Sequence, residues 1–378
     1  MGKAARVPAI DVLRGLVIAL MALDHVRDFF GVALFAPEDL SATSPGWFWT
    51  RWVTHLCATT FILLAGSSAY LRGTASGIPA LSRYLLTRGL MLIVLEATWI
   101  SFSWQLAYDI MIFQVIWAIG VGMVVLAALV WLPRPVIALI AALLILPHNL
   151  LDQVKSDSPL WILWHQSGFI PLQAGIQGIF VRYPLMPWIG LMAAGYAIGP
   201  LFQAAPPRRQ RILWITAAML LAGFLLLRGF NVYGDPRDWA PTGRGPMFDL
   251  MAFVNVEKYP PSLLYLLVTG GIGLALLAVF DRVRPVGFLQ LFGRVPMFFY
   301  VIHIALFQVL GKIYYQLRFG STPHFDGNSF VLPKGYEPSL PVVYAAWIAL
   351  LVLMYFLCRA WVAYRQRPAP ALAESAIT

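Results

Sequence analysis

Between Ile10 and Phe30 the chain is apolar except for Asp11, Arg14 and a close group, Asp24, His25, Arg27 and Asp28. His25 and Asp28 are three residues apart. On a helix a carboxylate at that spacing can hold one imidazole nitrogen and leave the other as a proton acceptor. Asp24 and Asp28 stand one turn apart and repel unless Arg27 or another helix compensates. His25, Asp28 and Asp24 are therefore the catalytic candidates. The competing reading is an internal salt-bridge network that fixes helix packing.

Where this group lies decides which reading applies. If the helix left the membrane at Asp24, Val12 to Leu23 would cover only about 18 Å at 1.5 Å per residue, too short to span a bilayer core of about 30 Å. The apolar residues Phe29 to Phe35 restore the length. The group is thus expected in the outer half of the membrane, facing the bundle or a wet cavity, where ionisable residues default to function. Eleven residues separate Arg14 from His25, which is three turns plus about 20°, so the two share one stripe about 16 Å apart. Asp11 and Asp28 fall near the same stripe.

The elements that must position these groups follow from composition. Of 378 residues 60% are hydrophobic and 12% charged, against about 25% charged in a soluble domain. A soluble enzyme is excluded. A nucleic-acid partner is excluded as well, because the 27 Lys+Arg against 17 Asp+Glu are scattered between apolar runs and form no basic stripe. Ten segments are long enough to span, at 11–35, 48–71, 82–104, 108–131, 135–151, 182–204, 210–229, 261–281, 288–316 and 340–363. The expected fold is an all-α polytopic bundle, one domain over 1–366 with a tail from 367 to 378.

Basic residues set the orientation. Lys3, Arg6, Arg72, Arg83, Arg134, Arg208, Arg209, Arg211, Arg282, Arg284, Arg365 and Arg367 fall in one set of short loops. Loop acids such as Glu38, Asp39, Asp152, Asp235, Asp249 and Glu337 fall in the other set. Both termini are therefore expected in the cytoplasm, in a multi-pass cytoplasmic-membrane protein surrounded by lipid. The first span is read as uncleaved, because charges follow the apolar run where a small-residue cleavage site would stand. The start also lacks the Ser/Thr that myristoylation wants. The sequence leaves a homo-oligomer open. Cys57 and Cys358 lie in apolar segments without metal-ligand or disulfide spacing.

Further polar residues are placed to share a site. His55 begins the second span from outside with Arg51 one turn earlier, and His303 lies about fifteen residues into the ninth. Three histidines can thus converge from three helices. Gln114, Asn255, Lys258, Asp109 and Arg182 can complete a polar acceptor cavity, although Ser262 after Lys258 also reads as a helix cap. Glu96, inside the third span, needs a partner or a proton and reads as a structural or gating group. His148, His165 and His324 sit at span ends or loops and read as ordinarily solvated. No histidine pair has His-x-x-x-His spacing, so no metal is expected. Gly270-Gly271-x-Gly273 and Gly195-x-x-x-Gly199 read as close helix packing.

Arg14, ten residues, then His25 resembles a motif of transmembrane acyltransferases, including the acyltransferase-3 family. The surrounding residues resemble bacterial relatives of heparan-α-glucosaminide N-acetyltransferase: Ile10-Asp11-x-x-Arg14-Gly15-Leu16, Leu23-Asp24-His25-x-Arg27-Asp28, Thr54-His55-x-Cys57, and Leu64-Ala65-Gly66-Ser67-Ser68. Phe113-Gln114 with Ala118-Ile119-Gly120, Lys258 to Ser262, and Gly293-Arg294-x-Pro296-x-Phe298-x-Tyr300-x-x-His303 add to it. The resemblance spans residues 10 to about 310. It departs after the first span, where Ser44-Pro45-Gly46 stands in place of the lysosomal enzyme's proposed active histidine, so His25 leans on the acyltransferase-3 pattern.

The resemblance implies transfer of an acetyl or other short acyl group from cytoplasmic acyl-CoA to a hydroxyl or amine of an extracytoplasmic glycan. Under it, His25 is a base oriented by Asp28 or a transient acyl carrier, with Asp24 beside it. His55, Arg51, His303, Lys258, Asn255 and Gln114 are expected on the acceptor. Arg14, Arg294, Arg88 and Arg72 are expected on the phosphates of acetyl-CoA, though membrane topology alone also places basic residues there. A proton-coupled transporter is the main alternative, and a membrane scaffold or sensor the third.

Overall fold

The computed structural model describes residues 7–172, 175–326 and 329–367; Lys3, Arg6 and the tail beyond Arg367 lie outside the described residues. Backbone polar groups inside a bilayer must be satisfied within the chain, and long apolar segments accordingly become helices. These are α1 (Pro8–Phe30), α2 (Pro45–Ser76), α3 (Ile78–Gln105), α4 (Val115–Leu129), α5 (Arg134–Leu151), the short α6 (Pro159–Trp164), α7 (Leu185–Gln203), α8 (Pro206–Gly229), the short α9 (Pro246–Val254), α10 (Leu263–Phe280), the short α11 (Gly287–Arg294), α12 (Pro296–Phe319) and α13 (Leu340–Arg365). Among the described residues eight of them are long and apolar enough to cross a membrane. The charged α1 and the fifteen-residue α4 stand beside these eight.

Three boundaries differ from expectation. α1 ends at Phe30, where Gly31 N–H bonds Arg27 O, so residues 31–35 do not extend the span. The helix gains its length at the other end, starting from Pro8 with Asp11 in its first turn, where proline loses no useful donor and an acid suits the helix dipole. Residues 110–113 form strand β1 (Ile110–Phe113) and not the start of a helix. The Gln114 N–H that follows is taken by the Glu96 carboxylate at 2.8 Å, and β1 is paired by residues 178–181. The segment 288–316 divides at Val295, since Pro296 disfavours helical geometry in the residue before it.

α1 runs through the middle of the bundle and touches α2, α10, α11, α12 and α13. Its contact with α11 is backbone to backbone: a Cβ at Gly15 would lie 1.8 Å from Leu289 O, and one at Gly293 1.8 Å from Asp11 O. Gly195 and Gly199 similarly let α7 close on Leu63 and Tyr70 of α2.

The long loops at one end carry the remaining structure. Strands β1, β2 (Gly168–Pro171) and β3 (Gly178–Val181) form a sheet in the order β1-β3-β2. β1 runs parallel to β3 with Phe113 opposite Val181, and β2 antiparallel with Gly168 opposite Val181. A hairpin of β4 (His324–Asp326) and β5 (Ser329–Val331) precedes α13.

Candidate active site

Two cavities meet inside the bundle. One, about 440 Å³, opens toward the loop-rich end and is lined by Asp24, His25, Asp28, Arg51, Gln114 and Lys258, with Arg182, Tyr259, Trp104 and Tyr300. Ile112 of β1 and Phe180 of β3 also line it, so the small sheet forms part of its wall. The other, about 740 Å³, is lined by Arg14, Arg72, Arg88 and Arg294 together with Ser68 and Tyr84. Met21, Phe61, Val115 and Tyr300 border both. These four side chains form a septum.

α1 supplies one continuous stripe to both spaces. Asp11, Arg14, Ile18 and Met21 face the arginine-lined cavity, and Met21, His25 and Asp28 the other. The steps of three and four residues between them are the spacing of one helical face.

His25 does not take its orientation from Asp28. Its Nδ1 lies 2.7 Å from Nε2 of His303 on α12. His303 Nδ1 lies 3.0 and 2.8 Å from the carbonyl oxygens of Phe299 and Tyr300, which can only accept, so that nitrogen carries the proton. His303 Nε2 is then the acceptor, His25 Nδ1–H donates to it, and His25 Nε2 is left with its lone pair. Trp104 packs edge-on against the His25 ring with centroids 5.0 Å apart. Asp28 is held instead by Arg27 at 2.7 Å and stays partly exposed on the cavity wall. The i,i+3 spacing allowed the expected contact, but a neighbouring cation took the carboxylate.

Asp24 is a tether. It pairs with Arg27 at 2.7 Å, receives Arg51 at 2.7 and 2.9 Å, and accepts the Thr54 hydroxyl at 3.0 Å. Arg51 also donates to Glu38 at 2.5 Å, tying the loop after α1 to α2. Burial works to raise the Glu38 pKa, but the adjacent His55 ring and the Arg51 guanidinium outweigh it and hold the carboxyl below its ordinary range.

His55 and Asn255 stand behind this wall. His55 is buried beside the Tyr265 ring, 3.8 Å from Glu38, and Asn255 donates to the Glu38 carbonyl. His303 is fully buried behind His25. None of the three lines the cavity, so in place of the expected convergence of three histidines the structure has one cavity-lining ring, His25, backed by His303.

Sequence reasoning passed over Tyr259, although it stands inside a quoted motif. Arg182 lies 4.5 Å and the Lys258 ammonium 5.1 Å from its ring, and Arg51 donates to its hydroxyl at 3.4 Å. Burial opposes ionisation of the phenol, but Lys258, Arg51 and Arg182 outweigh it and lower the pKa from 10 to about 7. Ser262 does cap α10, accepting the Tyr265 N–H at 3.0 Å. Glu96 is buried in a π-helical turn of α3 and holds the β1–α4 junction through Gln114.

In the larger cavity Arg14 donates to Ser68 at 3.0 Å and to Gly293 O at 3.3 Å. Arg72 lies 3.7 Å and Arg88 5.8 Å from the centre of the Tyr84 ring. Among the described residues Arg72, Arg88 and Arg294 make no ion pair with a carboxylate.

Ionisable groups are costly inside a membrane bundle and are kept for function; the fold and its two polar cavities therefore define a polytopic membrane protein with a buried centre for chemistry. The chain belongs to the heparan-alpha-glucosaminide N-acetyltransferase catalytic family, which matches residues 6–231, more than half of its length. It is accordingly a membrane acyltransferase. The match includes His25 and stops before Lys258, which lines the same cavity, His303, which bonds His25, and Arg294 of the other cavity. No curated protein matches the chain.

Proposed function

We propose that the protein moves an acetyl or other short acyl group from acyl-CoA in the arginine-lined cavity to a hydroxyl or amine of a glycan in the histidine-lined cavity. The membrane is the cytoplasmic membrane, with the basic loops and the donor on the cytoplasmic side. The observation that carries this reading is the single α1 stripe: Arg14 lines one cavity and His25 the other, with one layer of side chains between. Arg14, Arg72, Arg88 and Arg294 suit phosphate groups, to which guanidinium donates charged hydrogen bonds.

In direct transfer, His25 Nε2 takes the acceptor's proton while the acceptor oxygen or nitrogen attacks the thioester carbonyl. The C–S bond breaks, and the imidazolium returns the proton to the departing thiolate. In the covalent route Nε2 itself attacks, CoA leaves, and the acceptor then attacks the acyl-imidazole. Both routes need the Nε2 lone pair, which the hydrogen bond to His303 supports by fixing the tautomer. Lys258, Arg182 and the Tyr259 hydroxyl surround the position where negative charge develops.

The test is thermal stability of the purified protein in detergent with acetyl-CoA, CoA or a nucleotide control, since specific binding raises apparent stability by mass action. A rise with the first two, weakened by Arg72→Ala, is expected. No shift at millimolar acetyl-CoA in a well-folded sample would overturn the donor assignment and favour the transporter.

A further inference from the structure

A second cluster of chemistry-bearing side chains lies outside both cavities. His148 and Asp152 are four residues apart at the loop-rich end of α5, and His165 follows α6. The sequence reads these histidines as ordinarily solvated; the fold buries them, at 0% exposure for His148 and 2% for His165. His165 Nε2 lies 3.2 Å from Asp152 Oδ1, and the His148 and His165 rings stand edge to face with centroids 5.7 Å apart. One ligand atom from each of His148, Asp152 and His165 can be chosen so that all lie within 4.8 Å of one another.

Two observations point beyond packing. Neither nitrogen of His148 has a hydrogen-bond partner among the described residues, and His165 Nδ1 has none either. Buried polar groups are ordinarily satisfied, and an orphaned one calls for an occupant or an explanation. The Asp152 carboxylate is also held: its other oxygen accepts from Asn149 Nδ2 at 2.7 Å, while Asn149 Oδ1 accepts the Leu263 N–H that starts α10. Such an outer contact fixes a ligand in place in metal sites.

We propose that His148, Asp152 and His165 form a binding site for one transition-metal ion of the zinc class. Two imidazoles and one carboxylate suit Zn²⁺ and disfavour Mg²⁺ or Ca²⁺, which take oxygen ligands. Bonds of about 2 Å in tetrahedral geometry place ligand atoms about 3.3 Å apart, so from a spread within 4.8 Å the cluster closes by at most about 1.5 Å. The fourth position opens on a 170 Å³ pocket lined by Lys155, Gln166, Glu257 and Tyr259 as well as by Asp152 and His165. Tyr259 also lines the histidine-lined cavity, and His165 lies three residues before β2. The ion therefore fastens α5 to the sheet that walls the acceptor side. The site stands whether or not the acyl-transfer reading holds.

The experiment uses full-length protein in detergent, purified without a histidine tag and stripped with chelator, then titrated with Zn²⁺ and separately with Co²⁺. One ion per chain, d–d absorption typical of tetrahedral Co²⁺, and protection of the 152–181 loop from protease by Zn²⁺ are expected. His148→Gln and His165→Gln should each weaken binding at least tenfold, and His324→Gln, in the exposed β4 hairpin, should not. Absence of stoichiometric binding by the wild type overturns the site without recourse to any variant. So does binding that His148→Gln and His165→Gln leave unchanged. Asp152→Asn, which keeps the residue's shape, serves if a histidine variant fails to fold, and it too must weaken binding.

Discussion

In the histidine-lined cavity Arg27 and Arg51 are consumed by carboxylates, Arg51 by Asp24 and Glu38 and Arg27 by Asp24 and Asp28. In the arginine-lined cavity Arg72 and Arg88 lean on the Tyr84 ring instead, and Arg294 meets no carboxylate among the described residues. The difference sets the clamp of Arg27 and Arg51 apart from Arg72, Arg88 and Arg294; it does not extend to Arg182 and Lys258 of the first cavity, which face the Tyr259 ring, or to Arg14 of the second, which pairs with Asp11 at 3.4 Å. Cations already matched by anions hold backbone and side chains in place, here clamping the loop after α1 to α2 beside His25. Cations left over an aromatic face remain available to an anion from outside.

Substitutions that break this contrast should separate into distinct phenotypes. His25→Ala removes the one histidine among the described residues that lines the proposed acceptor cavity, and a labelled-acetyl transfer assay should show a loss of about 10²–10⁴-fold or more, with the purified protein still monodisperse. Asp24→Asn leaves Arg27 and Arg51 buried without their shared counter-ion; such losses cost about 3–5 kcal/mol, so thermal denaturation should move far more than donor binding. Arg72→Ala with Arg88→Ala should do the reverse. Charged hydrogen bonds are worth about 1.5–3 kcal/mol, which predicts a rise of tenfold or more in the KM for acetyl-CoA with the melting temperature little changed.

The smallest expected effect concerns Glu38. Its folded pKa is depressed below the ordinary carboxylate value, so its stabilising contribution is present above about pH 4.3 and is lost as pH falls through the folded value. Glu38→Gln should flatten that part of the acid-stability curve and leave stability at pH 9 as a constant offset from wild type. An unchanged acid limb would show that Glu38 does not tether the loop.

The helical architecture was legible because length and apolarity alone dictate spanning helices, and the stripe from Asp11 to Asp28 was legible because helical periodicity is local. Partners across helices were not. The His25–His303 contact joins residues 278 positions apart, and nothing in either segment says that a second ring rather than Asp28 would meet the first. Residues 110–113 looked helical because they are apolar, while their strand pairing depends on 178–181. His148 and His165 looked solvated because span ends usually are; only the course of the chain after α6, which sets the His165 ring against His148, buries them. Tyr259 was legible as part of a motif and illegible as a group, since three cations from three segments converge on it.

The septum of Met21, Phe61, Val115 and Tyr300 has an energetic consequence for the cell. A carrier that moved whole substrates would have to open each side in turn, and any slip in that cycle would let protons run down their gradient. With its two compartments set back to back, the proposed transfer passes only a small uncharged fragment between them, past the side chains that line both. Three apolar side chains and a tyrosine ring can then remain in place as electrical insulation throughout turnover.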